Sequence, residues 1–245
     1  MIQSLQQTLN LEKITHRYNG VLALDGITLQ IPTASFTAVL GPNGAGKTTL
    51  AMLMGGMLRP SLGTVGVHGI DRTRTDSGQG FIKLGVVLVP EGRRLFTQLS
   101  VRENLLLGAY GAGQKKSEIR RSFNQVLQFM PELQRHLQKL AGTLSGGERQ
   151  ILAIGRALMA QPSTVILDEP SLGLAPIMIE RVYEIISQLN SQSVTVVVIE
   201  QMATHAIRHA ETMIVLDHGR IGYHGSVTSS AAEEALKEGY LGRNH

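Results

Sequence analysis

Apolar positions in residues 11–40 fall in short stretches, LEKITHRY, ALDGITLQI and FTAVL, punctuated by Asn19-Gly20, Asp25-Gly26 and Pro32. Alternation or short apolar runs between turn residues predict strands. FTAVL is apolar almost throughout and is followed by a turn signal, which suits a strand buried on both faces. The pattern becomes helical over residues 46–58, up to Arg59-Pro60. Residues 64–68 and 84–89 again predict strands.

From about Glu91 to Pro162 strand signals vanish. Helical periodicity covers residues 101–109, 117–129 and 147–159. Apolar strands then return at 164–167, 194–199 and 213–216, with helices expected at 177–189 and 203–210 between them. Residues 231–240 predict one short surface helix. Strands that alternate with helices make βαβ units and a mostly parallel sheet. The expected layout is an α/β core from residues 1–90 and 163–245, with a helical subdomain inserted at 91–162. No internal repeat is present.

Composition narrows the classes. Hydrophobic residues are 42% and charged residues 17% of 245, enough for a sizeable core and against disorder. Aromatic residues are only 4%, without tryptophan, which argues against a stacking platform for single-stranded nucleic acid. The absence of cysteine excludes disulfides and thiol chemistry. The net charge of +4 is spread along the chain and reads as an ordinary solvated surface. The start of the chain has no cationic segment leading into an apolar one, so no signal peptide is expected. The longest apolar runs, such as 194–199, fall far short of the ~20 residues of a spanning helix.

Candidate chemistry begins at residues 41–48, Gly41-Pro42-Asn43-Gly44-Ala45-Gly46-Lys47-Thr48. This G-x-x-x-x-G-K-T string lies between a predicted strand and a predicted helix, the context that makes it a phosphate loop. Glycines let backbone N–H groups turn inward as an anion nest, and the following helix adds its positive end. Lys47 suits the β- and γ-phosphates, Thr48 a magnesium ion, and Thr49 the α-phosphate. The core is therefore expected to be of the P-loop NTPase type, with an antiparallel β part at its N-terminal end.

The second element is Thr-Val-Ile-Leu-Asp-Glu at 164–169. It sets Asp168 and Glu169 at the carboxyl edge of the sheet, where open α/β folds bind ligands. Asp168 suits magnesium, directly or through water. Glu169 suits alignment of an attacking water, provided the strand ends there, because adjacent strand residues point to opposite faces. The third element is Leu-Ser-Gly-Gly-Glu-Arg-Gln at 144–150. Ser145 and Glu148 make a capping box, which explains the pair without any ligand. Two glycines in a first turn nevertheless weaken a helix, and they leave its N–H groups open to an anion.

GPNGAGKTT, LSGGERQ and VILDEP, in this order, resemble the nucleotide-binding subunit of ABC transporters over about residues 11–243. The resemblance implies binding and hydrolysis of ATP with Mg2+ at a site shared by two ATPase subunits. Ser145, Gly146 and Gly147 of one subunit would clamp the γ-phosphate held by the other's loop. Tyr18 matches the position that stacks on adenine. Permease subunits, and indirectly a solute-binding protein, become the implied partners, with no nucleic acid. A place on the cytoplasmic face of the cell membrane follows, as a peripheral subunit. Phe96 and Leu99 are candidate contacts to the permease.

Three positions depart from the common family pattern: Glu91 in VPEGRRLF where glutamine is usual, Gln201 in VIEQMATHA where a histidine is usual, and Ala175 in EPSLGLAP where an aspartate is usual. Together with Tyr-Leu-Gly at 240–242, these strings resemble one subgroup, the shorter ATPase of branched-chain amino-acid uptake systems, with urea and amide importers nearby. Glu91 can ligate magnesium. Gln201 can donate an amide hydrogen bond to the γ-phosphate but takes up no proton near neutral pH. His205, one turn beyond, is expected at the surface. A homodimer and a heterodimer both remain open, and the subgroup favours a longer, different partner ATPase. The rival function is a soluble ABC ATPase acting on nucleic acid or the ribosome; one motif set and no heptad run count against it.

Overall fold

A computed structural model of the chain describes residues 7–74 and 78–241. β1 (Gln7–Tyr18) and β2 (Val21–Pro32) form an antiparallel hairpin with Tyr18 opposite Val21. Its turn residues Asn19 and Gly20 both take left-handed backbones, φ 47° and 88°, as a two-residue turn between twisted strands requires. β4 (Leu62–Val67) pairs with the other edge of β1, and β5 (Ile70–Asp71) completes a sheet ordered β2-β1-β4-β5.

The central sheet contains β3 (Phe36–Leu40), β6 (Val86–Val89), β7 (Thr164–Asp168), β8 (Thr195–Glu200), β9 (Thr212–Asp217) and β10 (Arg220–Ser226), in the order β10-β9-β3-β8-β7-β6. All its pairings are parallel except β9 with β10. β3, β7 and β8 are buried at every position, so they read as unbroken apolar runs rather than alternating ones.

Parity along these strands separates two cores. Ala38, Val165, Leu167, Val196 and Val198 join one apolar cluster, with Tyr183 and the helices of the 91–162 region. Val39, Ile166, Val197 and Ile199 join the other, with Leu50, Leu53 and the β1–β2 hairpin. Burying each of these Val, Leu and Ile side chains contributes about 1.5–3 kcal/mol.

Nine α-helices cover the sheets among the described residues: α1 (Lys47–Met54), α2 (Gly78–Lys83), α3 (Val101–Tyr110), α4 (Lys116–Phe129), α5 (Pro131–Gln134), α6 (Gly146–Leu158), α7 (Pro176–Ser191), α8 (Ala203–His209) and α9 (Ser230–Leu241). The chain runs through α3 to α6 between β6 and β7.

Several expected boundaries move. α1 stops at Met54 rather than near Arg59-Pro60, because Gly55 caps it and Gly56 turns left-handed at φ 68°. β6 begins at Val86, after Gly85 at φ 81°. β5, α2, α5 and β10 were not predicted. Of the Tyr-Leu-Gly segment, Gly242 lies outside the described residues. No helix among the described residues is long and apolar enough to cross a membrane.

Candidate nucleotide site

The turn from β3 into α1 creates the site's floor. Gly46 is the N-cap of α1, with φ 100° and no side-chain cap. A Cβ there would lie 2.6 Å from the Ala23 carbonyl oxygen and 2.7 Å from Leu24 Cδ2, so glycine is required both by backbone and by space. The first amides of α1 have no carbonyl behind them and no capping side chain, which leaves them for an anion. Ala45 is 2% exposed and braces the loop, its amide on Pro42 O at 3.2 Å and its carbonyl accepting from Gly219 N at 3.0 Å.

Lys47 is 6% exposed; its ammonium donates to Gly41 O at 2.8 Å and Pro42 O at 3.2 Å, and lies 3.4 Å from Glu169 Oε1. Glu169 reaches this side of the sheet by leaving the strand. β7 ends at Asp168, and Glu169 takes a left-handed backbone, φ 50°. That conformation is unfavourable for a residue with a Cβ, by roughly 1–2 kcal/mol. It turns the carboxylate back toward the phosphate loop, against the parity that would send it to the opposite face. Glu169 Oε2 also accepts from the Gln201 amide at 3.3 Å.

Asp168 follows Ile166 onto the α1 face and is 3% exposed. Burial first of all pushes its carboxyl up, to about 6, against a hydrogen bond from Thr48; Glu169 and Glu91 push it further and Lys47 opposes them. Its Oδ1 is buried without a hydrogen-bond partner. An orphaned carboxylate oxygen beside a threonine hydroxyl fits a hard divalent cation, which takes oxygen ligands. Among the described residues no three His, Cys, Asp or Glu side chains form a metal cluster, so such an ion would complete its shell with hydroxyl, water and phosphate oxygens.

One cavity of about 410 Å³ brings most of the predicted residues together: Tyr18, Asn43, Gly44, Gly46, Lys47, Thr48, Thr49, Glu91, Glu169 and Gln201, with Ala23 and Leu172. Tyr18 stands at its rim, 44% exposed, edge-on to His16 at 4.7 Å between ring centroids.

Ser145, Gly146 and Gly147 do not line this cavity. They open α6, where Ser145 Oγ accepts from the Glu148 amide at 3.3 Å and Glu148 Oε2 accepts from the Ser145 amide at 2.7 Å. The capping box is therefore present, and these bonds hold the Glu148 carboxyl below its ordinary value. A Cβ on Gly147 would meet Met178 Cε at 2.5 Å, whereas one on Gly146 would meet only Leu174, at 4.0 Å. The two glycines thus differ: one is required by packing against α7, the other leaves open space.

Some residues in and around the site escaped sequence reasoning. Arg93 Nε donates to Gln150 Oε1 at 2.9 Å, and its terminal nitrogen reaches the Leu172 carbonyl at 3.3 Å. Glu200, 1% exposed, accepts from the Ser171 amide at 3.0 Å and the Tyr183 hydroxyl at 3.3 Å. Its position beside Gln201 was the only signal. His205 is not a plain surface residue: its ring stacks on Tyr183 at 5.9 Å and its Nδ1 lies 3.5 Å from Glu180. Phe96 is exposed and lines an apolar groove with Ile82, Leu88, Leu107 and Ala157, while Leu99 does not reach it.

Known proteins resemble the chain over most of its length. The family profile described as ABC transporter matches residues 24–172. The high-affinity branched-chain amino acid transport ATP-binding protein BraG of Pseudomonas aeruginosa is 37% identical over 234 residues, 96% of this chain and 99% of that protein. A nucleotide-free ATP-binding cassette from an ABC transporter superposes with a TM-score of 0.83 at 25% identity, over 94% of this chain and 98% of that one. A bacterial ABC transporter cassette solved as a dimer superposes with a TM-score of 0.80 at 25% identity, over 90% and 99% of the two chains. Motifs, profile, relative and fold converge: the chain belongs to the ABC transporter family.

Proposed function

We propose that this chain is the ATP-hydrolysing subunit of an ABC importer whose solute is a branched-chain amino acid or a related amino acid or amide. The observation that carries the reading is the convergence of Lys47, Thr48, Glu169 and Gln201 on one cavity with Tyr18 at its rim. The solute follows the BraG likeness.

The terminal phosphates of ATP sit on the open amides of residues 43–49. Lys47 then exchanges the Glu169 carboxylate for phosphate oxygens. Freed from the ammonium, Glu169 aligns and polarises a water for attack on the γ-phosphorus, and the Gln201 side chain donates to a γ-oxygen. Thr48 and Asp168, with Glu91 at the margin, hold Mg2+. When bound, the ion neutralises charge on the β- and γ-oxygens. Tyr18 stacks on the adenine. Ser145, Gly146 and Gly147 act in trans from a second ATPase subunit, of the same or a different chain, and the solved dimer of a similar cassette supports this pairing. Residues 91–162 move as a unit. The groove under Phe96 takes a permease segment, which holds the chain at the cytoplasmic face of the membrane, with the solute-binding protein reached through that permease.

The test is reconstitution. The chain, purified with its permease and partner ATPase, should hydrolyse ATP in a Mg2+-dependent way and import radiolabelled leucine. A folded complex that shows no Mg2+-dependent ATP affinity would overturn the reading.

A further inference from the structure

β8 ends at Glu200, and Gln201 follows just beyond the strand. Gln201 touches Glu169 through its backbone amide. Glu200 shares the parity of Val196 and Val198 and so points to the other face, toward α7. There its Oε1 collects two donors: the Ser171 amide at 3.0 Å and the Tyr183 hydroxyl at 3.3 Å. Ser171 lies two residues beyond Glu169, in the turn whose Leu172 amide closes onto Glu169 O at 3.2 Å.

A buried carboxyl accepting from neutral donors is costly to keep charged. The groups shown to act on Glu200 are Ser171, Tyr183 from α7 and the charge of Glu169 from the turn after β7. Lys47 is engaged by Glu169, and Glu180 and His205 face each other. The nearest charge is thus of like sign. Burial first, then Glu169, pushes Glu200 up to about 7 against its hydrogen bonds. A neutral carboxyl still offers its carbonyl oxygen to both donors.

We propose that Glu200 is a positioning residue for hydrolysis: through the Ser171 amide it fixes the turn 170–175, and with it the left-handed backbone that aims Glu169 at the phosphate. A strained φ of 50° persists only where its surroundings over-determine it. The Glu169 amide on Ile199 O at 2.8 Å holds one end of the turn and Glu200 holds the next. Glu200 touches none of the groups proposed to hold the nucleotide, so its loss should lower kcat without weakening ATP binding. The inference rests on the role proposed above for Glu169.

The experiment compares Glu200→Ala, Glu200→Gln, Tyr183→Phe and Glu169→Gln in the assembled transporter, with kcat and KM for ATP measured across pH. Glu200→Ala should lose about tenfold in kcat with KM for ATP rising no more than about twofold above the parent. Glu200→Gln, which keeps the acceptor oxygen and cannot ionise, should restore turnover. Tyr183→Phe should lower kcat less than Glu200→Ala, again at constant KM. Parent-like kcat in Glu200→Ala, or a joint loss of kcat and nucleotide binding, overturns the inference. If Glu200→Ala does not fold, the decision falls to Glu200→Met, which fills the same space and offers the Ser171 amide no oxygen: parent-like kcat there overturns the inference. Glu169→Gln separates the two levels. Full turnover there removes the proposed role of Glu169 itself, whereas its loss beside a fully active Glu200→Ala refutes only the inference about Glu200.

Discussion

Lys47 Nζ lies 3.4 Å from Glu169 Oε1, with side chains 6% and 11% exposed, so the two groups proposed to act on opposite sides of the γ-phosphate are in contact with each other. ATP therefore competes with Glu169 for the ammonium. Glu169→Gln removes the competing charge while keeping the shape. Nucleotide affinity should rise, while turnover falls by about 10²–10⁴-fold, the usual loss for a removed general base. Fluorescent-nucleotide titration and phosphate release measure the two effects. Unchanged hydrolysis would remove Glu169 from its role.

Lys47→Ala is predicted to act twice. It removes the phosphate contact, and it leaves the largely covered Glu169 without its cation. Breaking a buried pair from one side destabilises by about 3 kcal/mol or more. Urea unfolding of the nucleotide-free variant should show a lower midpoint, and filter binding should show lost ATP affinity. Intact affinity would contradict the assignment of the loop.

Gly147 separates packing from chemistry. Gly147→Ala drives a methyl into Met178, and overpacking of this kind costs about 1–3 kcal/mol. The double variant Gly147→Ala with Met178→Ala should recover much of the thermal stability. Turnover should stay low, because the methyl still stands beside amides proposed to clamp the partner's phosphate. Full recovery of both would leave Gly147 with a packing role alone.

Tyr18 tests the base contact. Base–aromatic stacking is worth about 1–3 kcal/mol, so Tyr18→Ala should raise KM for ATP about 5- to 150-fold with kcat little changed. Tyr18→Phe should resemble the parent. Equal KM in all three proteins would mean that Tyr18 only packs on His16.

The pH dependence of stability follows from Glu200. Its folded value, about 7, stands above the ordinary 4.5. The folded form binds the proton more tightly, so this stabilisation is complete below about 4.5 and is lost as pH rises through about 7. The difference corresponds to about 3 kcal/mol at most. Thermal melts of the nucleotide-free protein should show Tm falling across this range, and Glu200→Gln should flatten the fall. Parallel profiles for the two proteins would exclude Glu200 as the source.

The phosphate loop, the Asp168-Glu169 pair and the signature at 144–150 were legible because each is a contiguous string whose chemistry is set by its own backbone. A glycine that must turn left-handed, a capping serine and a strand end are local facts. The buried strands β3, β7 and β8 were legible for a related reason: burial on both faces leaves an unbroken apolar run. β10 was not, because an exposed edge strand reading Arg-Ile-Gly-Tyr-His-Gly-Ser carries no apolar run. α2 was hidden by glycines at its first and third positions.

Only the tertiary structure decided which of two adjacent residues meets which neighbour. Residues 168 and 169 are both acidic, and the sequence alone makes them partners of one ligand. It does not say that Glu169 leaves the strand to reach Lys47, 122 positions away along the chain. Nor does it join Glu200 to Ser171 or Arg93 to Leu172, contacts that span 29 and 79 positions. Such pairings depend on the strand order β3-β8-β7-β6 and on the helices laid over it. Local backbone preference specifies the loop that cradles a phosphate. The alignment of the groups around it is set by packing between distant segments, which no single stretch of sequence contains.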